Sequence, residues 1–544
     1  MPLQTRHRKR TRSSNRSGVS LYLYVLLYAL ATLVLYQWQV LSFVTGAIDL
    51  GSVQGLVILG TLQAVQFFLI VGLMLVLGFV SIWLMKITGA VLFIANALAQ
   101  YFMSTYGTVI DPSMIGNILN TNQGEAGGLI HPMMFVTTIL WGVLPALAAL
   151  LVPVRRRRRL PVLAVLIAVV AGFVGTVYGA NSTWLWFDDN GNRIGPRTLP
   201  WSYLGNGARY AAEYQRRNRV PTSLPDGTLT PPADNLRDVV VLVIGEAARG
   251  DHLAALGYDR ETTPFTDPLG VVAYPGGRSC VTYSVGALAC ILSFKGNEAE
   301  VSDPFEPLPS YLSRTGVDTI VRVNNAGLPP LPGVTIQTAG DVNPPCEEDC
   351  PERWFDDQLL TGLSEQIAAS TAQTVFVMLH FAGSHGPEYF RRYPPEYQVF
   401  TPICRTTLVA DCTREELVNA YDNSIRFTDY ALSQLIGQLQ ALPDTRATML
   451  YVADHGQALG ENGIYLHGLP NSMAPESQRR IPLMLWFDDE VAQARGLDRA
   501  AMSRPIENPQ DMIFHTVLGA LRVQSPIYRA EYDLFQLSQE GRQP

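Results

Sequence analysis

A loop bracketed by two cysteines offers hydroxyl groups that could act as a nucleophile. Residues 279–290 read SCVTYSVGALAC, and three hydroxyls lie between Cys280 and Cys290, those of Thr282, Tyr283 and Ser284. A disulfide between the cysteines would hold the loop in one shape, as a nucleophile needs if its oxygen is to meet a metal and a substrate together. The alternative is a stapled surface loop whose hydroxyls face water, since most disulfides are structural.

Three residues elsewhere in the chain supply ligands of the kind that zinc binds, namely Glu246, Asp454 and His455. A hydroxyl from the cysteine loop would complete four-coordination. Carboxylate and imidazole suit a borderline metal with Lewis-acid character, and none of these ligands is a cysteine. A serine or threonine hydroxyl is a weak nucleophile at neutral pH, and a metal is one of the few means of activating it. The sequence therefore predicts a zinc site that includes a hydroxyl of the loop.

Histidines are concentrated in the same part of the chain. Of the eight histidines, four fall near the predicted site: His380, His385, His455 and His467. His385 stands in FAGSHGP and His467 stands in YLHGLP. Each of them alone is more often structural, but together they indicate a place that handles anionic oxygen and proton transfer.

Short apolar runs after Leu236 predict the strands that would position these groups. They are Val239–Ile244, Thr319–Val323, Thr374–Leu379, Met449–Val452 and Pro482–Trp486, and they alternate with helix-compatible stretches such as Arg414–Gln440. This alternation predicts an α/β domain with a mostly parallel sheet. The first four runs lead into Glu246, Asn324-Asn325, His380 and Asp454-His455. Because ligands bind at the carboxyl ends of such strands, we expect one constellation at one edge of the sheet.

The first part of the chain is nearly free of charge. The 40 Lys+Arg and 47 Asp+Glu give a net charge of −7, which does not suggest a nucleic-acid binder. Six basic residues stand in the first sixteen positions: Arg6, Arg8, Lys9, Arg10, Arg12 and Arg16. From Ser17 to Val154 the charged residues are Asp49, Lys86, Asp111 and Glu125. A segment of this composition is expected to lie in a bilayer.

Five apolar segments are long enough to span a membrane. The first is Leu21–Val44, two more lie within Gly51–Met103, and the last two are Leu129–Leu151 and Leu160–Ala180. As one helix, Gly51–Met103 would be about 80 Å long against a hydrocarbon core of about 30 Å, so we expect two helices that turn near Lys86. The first segment is too long for a cleavable signal peptide, and no small-residue cleavage site follows it.

Charge and cysteines give the same topology. The basic N-terminus, Lys86 and the five arginines of Arg155–Arg159 would all face the cytoplasm by the positive-inside rule, which places everything after Ala180 on the opposite side. All six cysteines follow that point, as three close pairs: Cys280 and Cys290, Cys346 and Cys350, Cys404 and Cys412. The pairs indicate disulfides in an oxidising compartment, although six cysteines allow fifteen pairings. A zinc site at CEEDC lacks the second ligand pair of a typical zinc module.

These patterns divide the chain into four parts. We expect a cytoplasmic basic N-terminus (1–18), a transmembrane domain with five helices and a periplasmic helix near 112–126 (19–180), a bridging segment (181–235) and a periplasmic catalytic domain (236–544). The bridging segment is rich in Pro, Gly and Trp and contains a short predicted helix, Leu204–Arg216.

One polar helix face stands near the predicted membrane surface. Asn117, Thr121 and Glu125 are spaced by four residues, which lines them along one face of a helix. The functional interpretation is a site for a lipid head group. The alternative is a solvated amphipathic helix.

Four motifs together resemble a known family. The chain carries GEAARGDHLAALGYDRETTP, the cysteine loop, LHFAGSHGPEYFRRYP and DHGQALGENGIYLHGLPN. In these motifs and in its five apolar segments it is similar to the phosphoethanolamine transferases of Gram-negative inner membranes, which include the lipid A modifying enzymes and the mobile colistin-resistance enzymes. The resemblance covers nearly the whole chain.

The resemblance implies an alkaline-phosphatase/sulfatase-like fold, zinc, and a two-step transfer from phosphatidylethanolamine to a lipid A phosphate. It places Glu246, Asp454, His455 and the nucleophile Ser284 on the metal, with His385 and His467 as catalytic histidines near the transferred group. It also implies substrate contacts from Asn117, Thr121, Glu125, His385 and His467, to which the strand ends add Asn325 and His380. We expect a monomer that works among membrane lipids and binds no nucleic acid.

The chain departs from the family pattern in three places. Ser284 stands where threonine is usual, which keeps the hydroxyl but loses the methyl group that limits its rotamers. Thr282 would be a fallback nucleophile in the wrong register. The family's DHGES becomes DHGQA with Gln457, and a lysine that some relatives carry after the Asn-Asn pair is replaced by LPP, residues 328–330. These changes bear on the acceptor and on a second metal rather than on the reaction type.

Three other functions share parts of the pattern, and two of them fit it poorly. A sulfatase needs a C/S-x-P-x-R setting for its nucleophile, and the loop lacks it. A transferase of another lipid-derived group, such as glycerophosphate, or one acting on a different acceptor, would use the same metal site. A membrane sensor with a decayed enzyme fold would have no need of the metal ligands, the loop hydroxyl and the clustered histidines.

Overall fold

The structure, a computed structural model, describes residues 18–120, 129–155, 157–217, 219–343 and 354–540. The chain forms two compact units, one of Met1–Ser104 with Pro132–Ser202 and one of Thr105–His131 with Tyr203–Pro544. We call the first the helical unit and the second the sheet unit.

The helices of the described chain are numbered in order. They are α1 (Leu21–Tyr36), α2 (Trp38–Ala47), α3 (Val53–Val80), α4 (Ile82–Tyr106), α5 (Pro112–Asn120), α6 (Pro132–Thr138), α7 (Leu144–Leu151), α8 (Arg159–Gly179), α9 (Trp184–Ile194), α10 (Trp201–Arg217), α11 (Ser284–Ile291), α12 (Leu308–Arg314), α13 (Ala339–Val342), α14 (Leu363–Ala369), α15 (Arg414–Gln440), α16 (Asp489–Arg495), α17 (Arg499–Met502), α18 (Pro509–Ala520) and α19 (Leu534–Glu540). One π-helical turn, Ile139–Val143, joins α6 to α7.

The helical unit consists of long apolar helices. Among the described residues, α3, α4, Pro132–Leu151 and α8 are long and apolar enough to cross a membrane, and α1 with α2 forms a pair bent by 64° that would add a fifth span if counted as one. Serines cap two of these helices, since Ser20 accepts a hydrogen bond from the backbone N–H of Leu23 and Ser52 accepts one from Gly55. Long apolar helices of this kind agree with the membrane segment that the sequence predicts.

The break between the two helices of Gly51–Met103 lies at a different position from the predicted one. The sequence predicts a turn near Lys86, but α3 ends at Val80 and Ser81 adopts an extended conformation before α4 begins. Lys86 lies within α4, where its Nζ donates a hydrogen bond of 2.9 Å to the carbonyl of Val152. Because a backbone carbonyl satisfies the ammonium group, the charge does not have to lie at the turn.

The sheet unit is built on seven strands, numbered in chain order. They are β1 (Arg237–Gly245), β2 (Val272–Tyr274), β3 (Asp318–Val323), β4 (Ile336–Thr338), β5 (Thr374–His380), β6 (Thr445–Ala453) and β7 (Leu483–Phe487). Their order across the sheet is β2-β7-β6-β1-β5-β3-β4, with β7 antiparallel to both of its neighbours and the pairs from β6 to β4 parallel. The prediction of a mostly parallel sheet flanked by helices is confirmed.

The central strand β1 is apolar over most of its length. In β1 the side chains Val239 to Ile244 are at most 2% exposed, as expected of a parallel strand covered on both faces. The predicted helix Arg414–Gln440 is present as α15 and begins with a capping box formed by Thr413 and Glu416. The core therefore fixes the strand ends that carry the polar groups.

Disulfides join two of the three cysteine pairs that the sequence predicts. Cys280 is bonded to Cys290 and Cys404 is bonded to Cys412. Cys346 and Cys350 lie outside the described residues. The first bridge encloses the loop that carries Ser284.

Candidate metal centre and active site

Four neighbouring strands deliver polar groups to the same edge of the sheet. Glu246 follows β1, Asp454 and His455 follow β6, His380 ends β5, and Asn325 follows β3. The parallel register pairs Gly245 with Ala453, Ile244 with His380, and Val323 with His380, so these strands end at one level. The predicted constellation at the carboxyl edge of the sheet is thus assembled.

Ser284 and the three expected metal ligands lie in direct contact. The Ser284 Oγ donates a 3.0 Å hydrogen bond to Glu246 Oε2 and lies 3.3 Å from His455 Nε2. His455 Nε2 is 3.4 Å from Glu246 Oε1 and 3.3 Å from Asp454 Oδ2. The two carboxylates and the imidazole are completely buried, whereas Ser284 is half-buried. Ser284 therefore stands where a substrate can meet a buried polar centre.

The hydrogen-bond partners of His455 fix the orientation of its ring. Its Nδ1 lies 2.9 Å from the carbonyl oxygen of Gly456, which can only accept, so Nδ1 carries the hydrogen. Its Nε2 then faces carboxylate oxygens of Glu246 and Asp454. A cation among these atoms, such as a metal ion, would offset the negative charge of the two carboxylates.

Asp454 has one oxygen committed to the backbone and one left over. Its Oδ1 accepts hydrogen bonds from the backbone N–H groups of Ala247 (2.9 Å) and His455 (2.7 Å). Its Oδ2 is buried and accepts no hydrogen bond from the part of the chain that the structure describes. A buried carboxylate oxygen of this kind is costly unless a metal or another cation binds it.

The separations in the cluster fit a zinc ion. Four ligands arranged tetrahedrally at about 2.0–2.1 Å from zinc lie roughly 3.3 Å from one another. The four contacts above are of that size, 3.0–3.4 Å, with Glu246 using Oε2 toward Ser284 and Oε1 toward His455. Oxygen and imidazole ligands without a thiolate also agree with zinc. The residues present therefore fit the metal that the sequence analysis expects.

His467 also belongs to the candidate metal group. Within the described chain, ligand atoms of Glu246, His455 and His467 all lie within 4.8 Å of one another. The rings of His455 and His467 have centroids 4.2 Å apart. The sequence predicts a catalytic and substrate-binding role for His467, and its position makes the ring a candidate metal ligand as well.

The other two histidines lie beside this group. The rings of His385 and His467 meet edge to face with centroids 5.1 Å apart. His380 is completely buried, and burial lowers its pKa to about 4, so its ring is neutral at physiological pH. Burial also lowers the pKa of His467 well below its usual value, and neighbouring His455 and His385 lower it further. His380 and His467 are therefore held as neutral imidazoles, each with one ring nitrogen that can accept a proton and one that carries a hydrogen.

The backbone beside Glu246 is held in an unusual conformation. Ala247 has φ +54°, in the left-handed region that a residue with a Cβ seldom adopts. Its N–H donates to Asp454 Oδ1, and its carbonyl accepts a 2.7 Å hydrogen bond from the Tyr421 hydroxyl. These two bonds offset the strain, which is of order 1–3 kcal/mol at such positions. They also fix the direction of the neighbouring Glu246 side chain.

A glycine lets a second loop pack against Glu246. Gly383 has φ +48°, and a Cβ there would lie 2.5 Å from the carbonyl oxygen of Glu246. The buried carboxylate of Asp356 accepts 2.8 Å hydrogen bonds from the N–H groups of Ala382 and Gly383 and from the Asn324 amide. Burial raises the pKa of Asp356 while these bonds oppose the rise. Sequence reasoning missed Asp356, because no motif or strand end marks it.

Asn325 contacts a predicted metal ligand. Its Nδ2 donates a 2.7 Å hydrogen bond to Glu246 Oε2, the oxygen that also accepts from Ser284. The sequence analysis expected Asn325 to bind substrate. In the structure its amide orients Glu246. From this position the amide also borders the Ser284 oxygen.

The polar helix predicted near the membrane surface is only partly described. Asn117 lies in α5, and a Cβ on Gly468 would come within 3.1 Å of its Nδ2, so Asn117 is adjacent to the His467–Gly468 segment. Thr121 and Glu125 lie outside the described residues. One of the three predicted head-group residues is thus next to the site.

Gln457 sets the orientation of His467. Its Nε2 donates a 2.7 Å hydrogen bond to the Tyr389 hydroxyl, and its Oε1 lies 2.8 Å from His467 Nδ1. The amide oxygen can only accept, so His467 Nδ1 carries the hydrogen and Nε2 is left with its lone pair. The residue that departs from the family pattern therefore presents His467 as an acceptor.

We expect Gln457→Leu to weaken zinc binding about 10- to 100-fold, since loss of a residue that orients a metal-bound histidine has effects of this size. Gln457→Glu keeps an oxygen acceptor for Nδ1 and should retain most of the affinity. Competition with a chromophoric chelator, on the purified full chain, measures both values. Equal affinity in the leucine variant and the wild type would show that His467 needs no such support.

The fold and the site define a sulfatase-like enzyme joined to apolar helices. The chain matches the family described as Sulfatase over residues 238–523 and the family described as Phosphoethanolamine transferase EptA/EptB over residues 67–214. Residues Glu246, Ser284, Asp454 and His455 all lie within the first match.

Individual relatives agree with both matches. The chain is 34% identical to the phosphoethanolamine transferase EptA of Helicobacter pylori over 86% of this chain and 88% of the relative. It is 32% identical to the phosphatidylethanolamine transferase Mcr-1 of Escherichia coli over 74% and 78%. The solved integral membrane protein lipooligosaccharide phosphoethanolamine transferase A of Neisseria meningitidis superposes with a TM-score of 0.85, at 27% identity, over 95% and 98% of the two chains. The chain belongs to the phosphoethanolamine transferase family, and the resemblance seen in its motifs is confirmed.

Proposed function

We propose that this enzyme transfers phosphoethanolamine from phosphatidylethanolamine to a phosphate of lipid A, through a covalent phosphoethanolamine–serine intermediate on Ser284 and with zinc as cofactor. The observation that carries the proposal is the position of the Ser284 Oγ, 3.0 Å from Glu246 and 3.3 Å from His455. The donor is supported by the relative Mcr-1, which is named a phosphatidylethanolamine transferase. The acceptor is supported by the Neisseria meningitidis enzyme, which is named for lipooligosaccharide.

The metal would be held by Glu246, Asp454 and His455, with His467 in reach. Zinc bound among these residues supplies Lewis-acid chemistry, which lowers the pKa of a neighbouring hydroxyl and stabilises negative charge on phosphoryl oxygens.

In the first half-reaction Ser284 is the nucleophile. Its Oγ forms a bond to the phosphorus of the donor while the bond from phosphorus to the diacylglycerol oxygen breaks. The serine proton leaves along the existing hydrogen bond toward Glu246 Oε2, and one proton reaches the departing diacylglycerol oxygen. His385 and His467 stabilise charge on the transferred group or relay that proton.

In the second half-reaction the acceptor restores the enzyme. A phosphate oxygen of lipid A bonds to the same phosphorus, the bond from phosphorus to the Ser284 oxygen breaks, and the serine regains a proton. Substrate contacts are assigned to Asn117, Thr121, Glu125, Asn325, His380, His385 and His467. Of these, the neutral His380 and the amide of Asn325 lie 3.5 Å from each other beside Glu246.

The proposal includes the arrangement in the membrane. Five spans within 19–180 follow a cytoplasmic N-terminus (1–18), and a bridging segment (181–235) leads to a periplasmic catalytic domain (236–544). This places the enzyme in the inner membrane of a Gram-negative bacterium, as a monomer. The apolar helices and the disulfides of the sheet unit support it.

Mass spectrometry of lipid A tests the proposed function. The full chain is expressed in a Gram-negative strain that lacks such transferases, with Ser284→Ala as the matched control. We expect phosphoethanolamine on lipid A only with the wild-type chain. A glycerophosphate adduct would show that the donor is a different lipid. Unmodified lipid A despite equal amounts of protein in the membrane would overturn lipid A as the acceptor.

A further inference from the structure

A cleft that is distinct from the candidate metal centre borders the loop that carries Ser284. It lies wholly within the sheet unit and has a volume of about 710 Å³. Its walls include α10, the residues 299–302 and the cysteine loop, with Tyr283 and Gly286 on the loop side. These two residues flank Ser284, so a ligand in the cleft would touch the segment that holds the nucleophile.

One face of α10 forms a wall of the cleft. Arg209, Glu213 and Arg216 are spaced by four and three residues and therefore project from the same side of the helix. Ala208 and Ala212 line the cleft beside these charged residues. Small side chains at these positions leave room for a ligand, while the charged groups stand at its edges.

The charges of this cleft are available to a ligand. Arg209 and Arg216 are exposed, and neither forms an ion pair with another residue in the described ranges. Glu213 is half-buried, and burial raises its pKa, with nearby Glu300 raising it further and Arg216 lowering it. Two guanidinium groups and two carboxylates thus share one open space.

This mixture selects a class of ligand. Guanidinium groups bind phosphate oxygens in forked pairs, and carboxylates accept hydrogen bonds from hydroxyl and amide groups. A phosphorylated sugar offers both kinds of partner, and the ring of Tyr283 offers an apolar face against which a sugar can pack. A space of this volume also exceeds what a phosphoethanolamine group alone would fill.

We propose that this cleft binds the phosphorylated sugar head of the acceptor, with Arg209 and Arg216 on a phosphate and Glu213 and Glu300 on sugar hydroxyl or amide groups. The inference rests on the proposed transfer reaction, and it adds a place for the acceptor distinct from the metal centre. The donor half-reaction does not use these residues.

The double variant Arg209→Gln/Arg216→Gln separates the two half-reactions. In the purified full chain we expect formation of the phosphoethanolamine–enzyme from phosphatidylethanolamine, read by intact-protein mass, to stay within about twofold. The KM for lipid A should rise by at least about tenfold, because charge-assisted hydrogen bonds to phosphate are lost. Arg209→Lys/Arg216→Lys should recover part of the effect, and Arg405→Gln, at an exposed arginine elsewhere in the sheet unit, should match the wild type.

A competition assay identifies the ligand chemistry. Glucosamine 1-phosphate should compete with lipid A in the wild type and lose this effect in the double variant, whereas inorganic phosphate should compete more weakly. Equal competition by inorganic phosphate would overturn recognition of the sugar. A further outcome is that glucosamine 1-phosphate fails to compete while the KM for lipid A still rises in the double variant. That result would assign the cleft to the membrane-bound glycolipid alone and support the acceptor site.

Two further results would overturn the acceptor site. One is an unchanged KM for lipid A in the double variant with unchanged thermal unfolding, and the other is slower formation of the intermediate, which would assign the cleft to the donor. Failure of the proposed function looks different, because the wild-type chain itself would then form no adduct on Ser284.

Discussion

Ser284→Ala is expected to lower the rate of phosphoethanolamine transfer on the order of 10⁴-fold or more. The variant keeps the metal ligands and the histidines but has no oxygen to form the intermediate, and loss of a nucleophile has effects of this size in enzymes with a covalent step. The hydrogen bond to Glu246 and the 3.3 Å contact with His455 disappear, so the free energy of unfolding should fall by only about 1–2 kcal/mol. Intact-protein mass after incubation with phosphatidylethanolamine measures the adduct directly.

The matched control is Ser284→Thr, which keeps the hydroxyl and should retain activity within about tenfold. Thr282 cannot replace the missing oxygen, because it is buried and its hydroxyl donates to the carbonyl of Leu469. An adduct of unchanged amount in Ser284→Ala would place the nucleophile elsewhere. Loss of the adduct together with a large fall in unfolding temperature would instead show that Ser284 acts mainly in packing, and Ser284→Thr would then distinguish the two effects.

The sequence was sufficient to predict how the candidate metal centre is assembled. Glu246, His380 and Asp454 each follow an apolar run, and parallel strands bring such ends to one edge whatever the loops between them do. The spacing of apolar residues also predicts α15 with the bounds Arg414–Gln440 that the structure shows. Both inferences depend on local patterns with strong physical constraints, namely burial of strands and helix periodicity.

The contacts around the metal centre could not be predicted in this way. Gln457 reaches Tyr389 across 68 positions of sequence, and Asn325 reaches Glu246 across 79. Such pairs have no period, since they depend on where loops pass one another above the sheet. The same holds for Asp356, which fixes a loop of the site although it stands in no recognisable motif. The left-handed conformation of Ala247 likewise has no signal in the sequence.

Asp454→Asn is expected to weaken zinc binding by at least about 100-fold, more than loss of a residue that merely orients a ligand. The amide oxygen can keep the bonds that Oδ1 accepts from Ala247 and His455, so the fold around the site is preserved. The nitrogen then takes the place of Oδ2 and points N–H groups where the carboxylate presented a lone pair toward the centre. A metal cannot be bound by such a group, and transfer should fall with the affinity.

Asp429→Asn is the matched control, because this substitution also changes a buried aspartate to its amide. Asp429 accepts hydrogen bonds from Thr266 and Phe265 and contacts none of the metal-centre residues. It should lower stability without changing zinc affinity. Zinc at 100 times its dissociation constant stabilises a protein by about 2.7 kcal/mol, so added zinc should raise the unfolding temperature of the wild type and of Asp429→Asn after chelation. The same addition should stabilise Asp454→Asn by at most about 0.4 kcal/mol, because zinc is then no higher than the dissociation constant of the variant. An equal rise in all three proteins would show that zinc binds somewhere other than at the ends of β1 and β6.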